Sequence, residues 1–159
     1  MNERIQILGL DEHLVRQLER LTKEEVIYLV RSFFKKKYKK GGLSKTSLKF
    51  LDVHTLIEVV LFIVARRKEL DEFKEHALQV INALENVKEV DVMSMSEREI
   101  KAEFGNKEKY PDIVFIKRAI PRYIGKSRFR GVTRRGTLIS RIINIVKTER
   151  ERVKHIEKF

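Results

Sequence analysis

Residues 53–66 read VHTLIEVVLFIVAR and are apolar on nearly every side of a helix. A helix with this pattern is expected to be surrounded by other elements, because a side facing solvent would carry polar residues. Its most hydrophobic part, residues 56–65, is interrupted by Glu58 and has about half the length that a bilayer span requires. The segment therefore predicts a central helix of a soluble, mainly α-helical protein with no membrane partner.

Amphipathic helices are predicted on both sides of this segment. Thr22 and Glu25 have the spacing of a capping box, and Gly41-Gly42 is a stop signal, so a helix is expected between them. An earlier helix is capped by Asp11, and a later one covers residues 70–84. The apolar stripes consist of Leu10, Leu14, Leu18 and Leu21, then Val26, Leu29, Val30, Phe33 and Phe34, and then Leu70, Phe73, Ala77, Val80, Ile81 and Leu84.

The pattern changes after Asn86. Ser96 and Glu99 form a second capping box, and Gly105-Asn106 closes the helix that it opens. Pro111 stands at a favoured first-turn position for a third helix over residues 111–120. A basic segment with three glycines follows over 125–136, and residues from Thr137 onward are predicted to be one long helix.

In order, residues 72–137 resemble a winged helix-turn-helix unit, in which the third helix enters the major groove and a basic β-hairpin over 126–136 is the wing. The apolar run Ile-Val-Phe-Ile at 113–116 is equally typical of a buried strand. The alternative is an α+β C-terminal region with strands near 88–93 and 112–117. In both architectures an N-terminal helical bundle precedes this region. The predicted divisions are 1–70, 71–137 and 138–159, and one compact domain is the alternative.

The positive charge of the chain is segregated. Residues 113–148 hold ten Lys or Arg residues, residues 26–51 hold eight, and neither window contains Asp or Glu, within a net charge of +12. Clustered cations repel one another, so a polyanionic partner is the economical explanation. The predicted nucleic-acid contacts are Lys117, Arg118, Arg122, Lys126, Arg128, Phe129, Arg130, Arg134, Arg135 and Arg141, with Lys35, Lys36, Lys37, Lys39 and Lys40 as a second patch.

These contacts are expected to differ in what they touch. Arg118 and Arg122 are candidates for base edges or for the backbone, while the cations of the wing would mainly contact phosphate. Phe129 lies between Arg128 and Arg130, an arrangement that suits base stacking, although a ring tucked into the core is the alternative. The Lys run at 35–40 is also compatible with a solvated helix end.

Catalytic motifs are scarce. The chain has no Cys, its four His residues lack metal-binding spacing, and no glycine-rich phosphate loop occurs, so neither a metal nor a cofactor is predicted. Pro111-Asp112 before an apolar run resembles the start of the PD-(D/E)xK nuclease motif. That motif needs a second acid on a strand, and the next acid after Asp112 is Glu149, so the nuclease is only an alternative; Glu103 or Asp91 would need an unusual arrangement to replace it.

The sequence thus predicts a non-enzymatic DNA-binding protein, a small regulator or an accessory factor in DNA handling. RNA binding is a weaker alternative to DNA, and an adaptor for an acidic protein partner is another. The stripe Ile139, Ile142, Val146, Val153 and Ile156 suggests a homodimer through the C-terminal helix. The absence of Cys fits a cytoplasmic location, and the abundance of Lys, Arg and Glu is typical of heat-adapted proteins.

Overall fold

The computed structural model describes residues 12–37 and 48–157. Within these ranges the chain forms seven α-helices and three short 3₁₀ turns and contains no β-strand. The mainly α-helical prediction is therefore confirmed. No helix in the described part of the chain has both the length and the hydropathy of a membrane span.

The contacts divide the chain into two compact units, Met1–Glu85 and Asn86–Phe159. The first contains the helices α1 (Glu12–Glu19), α2 (Lys23–Lys37), α3 (Val53–Arg66) and α4 (Leu70–Glu85). The second contains α5 (Glu97–Phe104), α6 (Ile113–Ala119) and α7 (Arg135–Glu157). The helix at 70–85 thus belongs to the first unit, whereas the sequence-based boundary at 70 assigned it to the next one.

Helix α2 begins at the predicted capping box. The Thr22 amide donates to Glu25 Oε1 at 2.9 Å, and the Glu25 amide donates to Thr22 Oγ1 at 3.2 Å. These bonds satisfy amide groups that have no partner inside the helix. The stop signal Gly41-Gly42 and the cap Asp11 lie outside the described residues.

Helix α3 has the bounds that its sequence predicts, but it is less enclosed than expected. Asp52 caps its first turn by accepting from the Thr55 amide at 2.8 Å. The core side chains are Leu56, Ile57, Val60, Leu61 and Val64. On the other side Phe62 is 52% exposed and Val59 is also exposed, so the helix packs on one face only.

Aromatic rings join α2 to α4. Phe33 meets Phe73 edge to face, with ring centroids 5.2 Å apart, and lies 5.6 Å from the ring of His76. Ser32 Oγ lies 2.8 Å from His76 Nε2. Half-burial holds the pKa of His76 below its usual value of 6.5, and the nearby charge of Lys36 acts in the same direction.

The second unit has neither predicted strand. Residues 92–94 form a 3₁₀ turn, and Val90 makes a backbone bond to Ala119, its amide donating to that carbonyl at 2.8 Å. The run at 113–116 is the start of α6, because Asp112 Oδ1 accepts the Val114 amide at 3.1 Å and caps a helix. Most of this short helix is enclosed, and an enclosed helix has the same apolar run as a buried strand.

The basic hairpin predicted over 126–136 is also absent. Residues Lys126–Phe129 form a 3₁₀ turn, Gly131 has a φ of 81°, and α7 begins at Arg135. Phe129 and Val132 are buried and hold the segment against the unit. The chain therefore passes from a turn directly into a helix, which leaves no length for two paired strands.

Two arginines of helix α7 donate hydrogen bonds to backbone carbonyls elsewhere in the unit. Arg135 donates from Nη1 to the Phe104 carbonyl at 2.8 Å and from Nη2 to the Tyr110 carbonyl at 2.6 Å. Arg150 donates from Nη2 to the Met93 carbonyl at 2.8 Å and also to that of Met95. Of the predicted dimer stripe, Ile142 and Val146 are buried within their own unit, and Ile156 is 67% exposed.

Candidate nucleic-acid interface

Two successive 3₁₀ turns, Arg122–Ile124 and Lys126–Phe129, present the basic segment of the second unit. Gly125 joins them with a φ of 84°, a value that favours glycine. The Gly125 amide donates to the Arg122 carbonyl at 2.9 Å, and the Arg128 amide donates to the Gly125 carbonyl at 3.0 Å. Ile124 and Phe129 are buried, so they anchor the turns while the polar residues around them remain in solvent.

Six exposed cations lie on these turns, on the segment that follows and on α7. Arg141, on α7, donates from Nη1 to the Arg128 carbonyl at 3.1 Å and so links the helix to the second turn. The Arg128 side chain lies over Gly125, where an added Cβ would stand 3.6 Å from its Nε. We call the following set the basic face: Arg122, Lys126, Arg128, Arg130, Arg134 and Arg141.

The side chains of the first five members of the basic face have no hydrogen bond and no ion pair with any residue in the described ranges. Several cations elsewhere are paired. Lys147 lies 2.9 Å from Glu97 Oε2, Lys109 lies 2.5 Å from Glu103 Oε1, and Lys37 pairs with Glu72. Hydrogen bonds from Lys147 and Lys101 keep the pKa of Glu97 below its usual range. The carboxylates of Glu72, Glu97 and Glu103 are therefore paired with cations that do not belong to the basic face.

Two predicted contacts have structural roles instead. Arg135 is half-buried, and its guanidinium holds the carbonyls of Phe104 and Tyr110, so it bridges the end of α5 and the following loop to the start of α7. Phe129 is 1% exposed, and its ring cannot stack on a base from within the core. Neither residue is therefore available at the surface to contact nucleic acid.

Helix α6 does not have the properties of a recognition helix. It has seven residues, and Val114, Phe115, Ile116 and Ala119 among them are buried. Lys117 and Arg118 are half-buried, and both already interact with other parts of the protein. A helix enclosed to this extent cannot insert into a major groove, so the predicted groove contact through residues 117–122 is reduced to Arg122 on the surface turn.

The second predicted patch lies in the first unit. Lys35 and Lys36 are exposed on the last turn of α2, where cations also oppose the negative end of the helix dipole. Lys37 is paired with Glu72. Lys39 and Lys40 fall outside the described residues. The described part of this patch therefore contains two cations without an ion pair.

Tyr123 is a surface residue outside the predicted set of nucleic-acid contacts. Its side chain is 67% exposed, directly after Arg122 in the first turn. Partial burial raises the pKa of the Tyr123 hydroxyl, and the charge of Asp91 and a hydrogen bond to its carboxylate raise it further. The signal in the sequence is an aromatic residue between Arg122 and the turn at Gly125.

The acids considered for a nuclease have other partners. Asp112 caps α6 and does not lie on a strand. Glu103 accepts the Tyr110 hydroxyl at 2.8 Å in addition to its pair with Lys109, and burial, together with this contact, raises the pKa of Tyr110. No group of three or more His, Asp or Glu residues in the described ranges is placed to hold a metal ion.

Comparison with protein-family models, with curated proteins and with solved structures finds no match for this chain.

Proposed function

We propose that this chain is a non-enzymatic DNA-binding protein, a small regulator or accessory factor, that binds nucleic acid through the basic face. One observation carries the proposal. The cations of the basic face are exposed, lack carboxylate partners among the described residues and lie within residues 113–148, a window that contains no Asp or Glu. Unpaired cations held close together repel one another, and a phosphate backbone removes that repulsion on binding.

Most contacts in this mode go to phosphate. The basic face lies on turns and on the side of a helix, and α6 is too enclosed to reach base edges. Arginine suits phosphate because its planar fork donates two parallel hydrogen bonds, and five of the six cations are Arg. Affinity should then depend strongly on salt and only weakly on sequence.

The test is a charge-matched pair of variants. The first changes Arg122, Lys126, Arg130 and Arg134 to Gln, which removes four exposed cations of the basic face. The second changes Lys88, Arg98, Lys107 and Lys154 to Gln, which removes four exposed cations elsewhere on the same unit. Both variants lose four positive charges, so their effect on the net charge of the unit is the same.

Fluorescence anisotropy with labelled nucleic acid at several salt concentrations measures the effect. For the wild type, about six phosphate contacts predict a loss of affinity of ~10³-fold between about 50 and 200 mM salt. The first variant should reduce the slope of log K against log salt by about 3, while the second should reduce it by less than about 1. A flat salt response of the wild type, or equal slopes for the two variants, would contradict the proposal.

RNA is the second candidate partner, and the exposed ring of Tyr123 is the observation that favours it. Proteins commonly recognise RNA through unpaired bases that stack on aromatic side chains. Competition among duplex DNA, single-stranded DNA and single-stranded RNA for the same labelled probe separates the candidates. Binding to an acidic protein with none to nucleic acid would instead indicate an adaptor.

A further inference from the structure

Tyr123 differs from every other aromatic side chain in residues 86–157. Phe104, Tyr110, Phe115 and Phe129 are all buried, whereas the Tyr123 ring is 67% exposed. Leaving a large apolar ring in water forgoes the stabilisation that burial would provide. The exposure is also local, because Pro121 and Ile124 on either side are buried.

The backbone holds this ring in a fixed place. The Ile124 amide donates to the Pro121 carbonyl at 3.2 Å, so Tyr123 lies inside a closed turn. This turn reduces the backbone freedom that a ligand would otherwise have to remove on binding.

The charges around the ring are arranged unevenly. Arg122 precedes it and Lys126 follows three residues later, and both are exposed. Asp91 lies at the hydroxyl, and the charge of Glu89 is also felt there. A phosphate is attracted to the cations and repelled by the carboxylates, whereas a neutral base meets no such repulsion at the ring.

We propose that the exposed ring of Tyr123, beside Arg122 and Lys126, is a stacking platform for an unpaired base, so that the basic face prefers single-stranded nucleic acid to duplex. This inference rests on the proposed function. In a duplex both faces of each base are covered by neighbouring bases, whereas a single strand can turn a base onto an aromatic side chain. The backbone of the strand then follows the basic face while one base occupies the ring.

The first measurement compares Tyr123→Ala and Tyr123→Phe with the wild type. A single strand of about 12 nucleotides, as DNA and as RNA, and a duplex of the same sequence are the ligands. Tyr123→Ala should weaken single-strand binding about 5- to 150-fold, the range for one lost stacked base. Its effect on duplex binding should be less than about twofold, since phosphate contacts remain. Tyr123→Phe keeps the ring and should stay near the wild type.

The second measurement uses fluorescence. The chain contains no Trp, so Tyr123→Trp introduces a single reporter. Stacking of a base should quench it when the single strand is added and leave it nearly unchanged with duplex. Ile156→Trp is the control, because Ile156 is exposed near the end of α7 in the same unit, and its fluorescence should respond to neither ligand.

The outcomes separate the two proposals. If the wild type binds no nucleic acid, the proposed function fails and this inference fails with it. If the wild type binds but Tyr123→Ala binds single strands equally well, only the stacking platform is overturned. Equal losses for single strand and duplex also overturn it, provided that thermal melts show the variant to be folded. A larger loss with RNA than with DNA, or the reverse, supports the platform and identifies the sugar that it prefers.

Discussion

Replacing Arg135 by Gln removes the guanidinium that joins α7 to the end of α5 and to the loop at Tyr110. The side chain makes two bonds to carbonyls, at 2.8 and 2.6 Å. A hydrogen bond from a charged donor contributes roughly 1.5–3 kcal/mol, and the lower end applies because Arg135 is half-buried. The change should therefore lower the free energy of unfolding by about 2–3 kcal/mol.

Thermal and urea unfolding measure this cost. For a unit the size of residues 86–159, each kcal/mol shifts Tm by about 4–8 °C, so the expected decrease is roughly 10–20 °C. Arg135→Lys is the second variant. Lysine keeps the positive charge but lacks the planar fork, so it cannot hold both carbonyls and should recover less than half of the loss.

Arg134 is the matched control, because it is the adjacent residue, has the same side chain and is exposed to solvent. Arg134→Gln should change the free energy of unfolding by less than about 0.5 kcal/mol while weakening nucleic-acid binding. If Arg135→Gln proves as mild as Arg134→Gln in unfolding, or if Arg135→Lys is fully stable, the bridging role of Arg135 is refuted.

Two further features can be tested in the same way. The pKa of His76 lies below 6.5 in the folded protein and near 6.5 in the unfolded chain. Between these two pKa values the unfolded chain binds more protons, so the free energy of unfolding should fall as the pH drops through 6.5. Urea unfolding between about pH 5 and 7.5 checks this, and His76→Gln should flatten the dependence; an unchanged profile would contradict it. Gly125→Ala should destabilise the protein by about 1 kcal/mol because its φ is positive, although Arg128 leaves room for a methyl group. Gly136→Ala, in the first turn of α7 with open space around it, should be neutral or stabilising by up to about 1 kcal/mol. Thermal melts compare the two variants, and a larger loss of stability for Gly136→Ala than for Gly125→Ala would contradict this reasoning.

The helices of the chain could be predicted wherever local chemistry defines their ends. Both capping boxes are present, at Thr22 with Glu25 and at Ser96 with Glu99, because a cap joins residues only three apart. The bounds of α3 also follow from its apolar run. Such signals need no knowledge of the rest of the fold.

Segments whose partners are distant in sequence could not be predicted in the same way. Gly125 and Gly131 are compatible with a hairpin, and only the burial of Phe129 shows that the chain turns inward instead. The sequence shows that residues 113–148 are rich in cations. It does not show that Arg134 is exposed whereas Arg135 bonds backbone carbonyls. Their roles differ because the start of α7 aims one guanidinium at the carbonyls of Phe104 and Tyr110.

The final turns of α7 offer a site for attaching a probe. Arg150 joins the helix to the 3₁₀ turn at 92–94, and Ile156 beyond it is exposed. From Arg141 to Ile156 the helix advances about 22 Å, at roughly 1.5 Å per residue. Because the chain has no Cys, Ile156→Cys would accept one dye at that distance from the basic face. Energy transfer from this dye to either end of a bound oligonucleotide would then report the direction in which the strand runs.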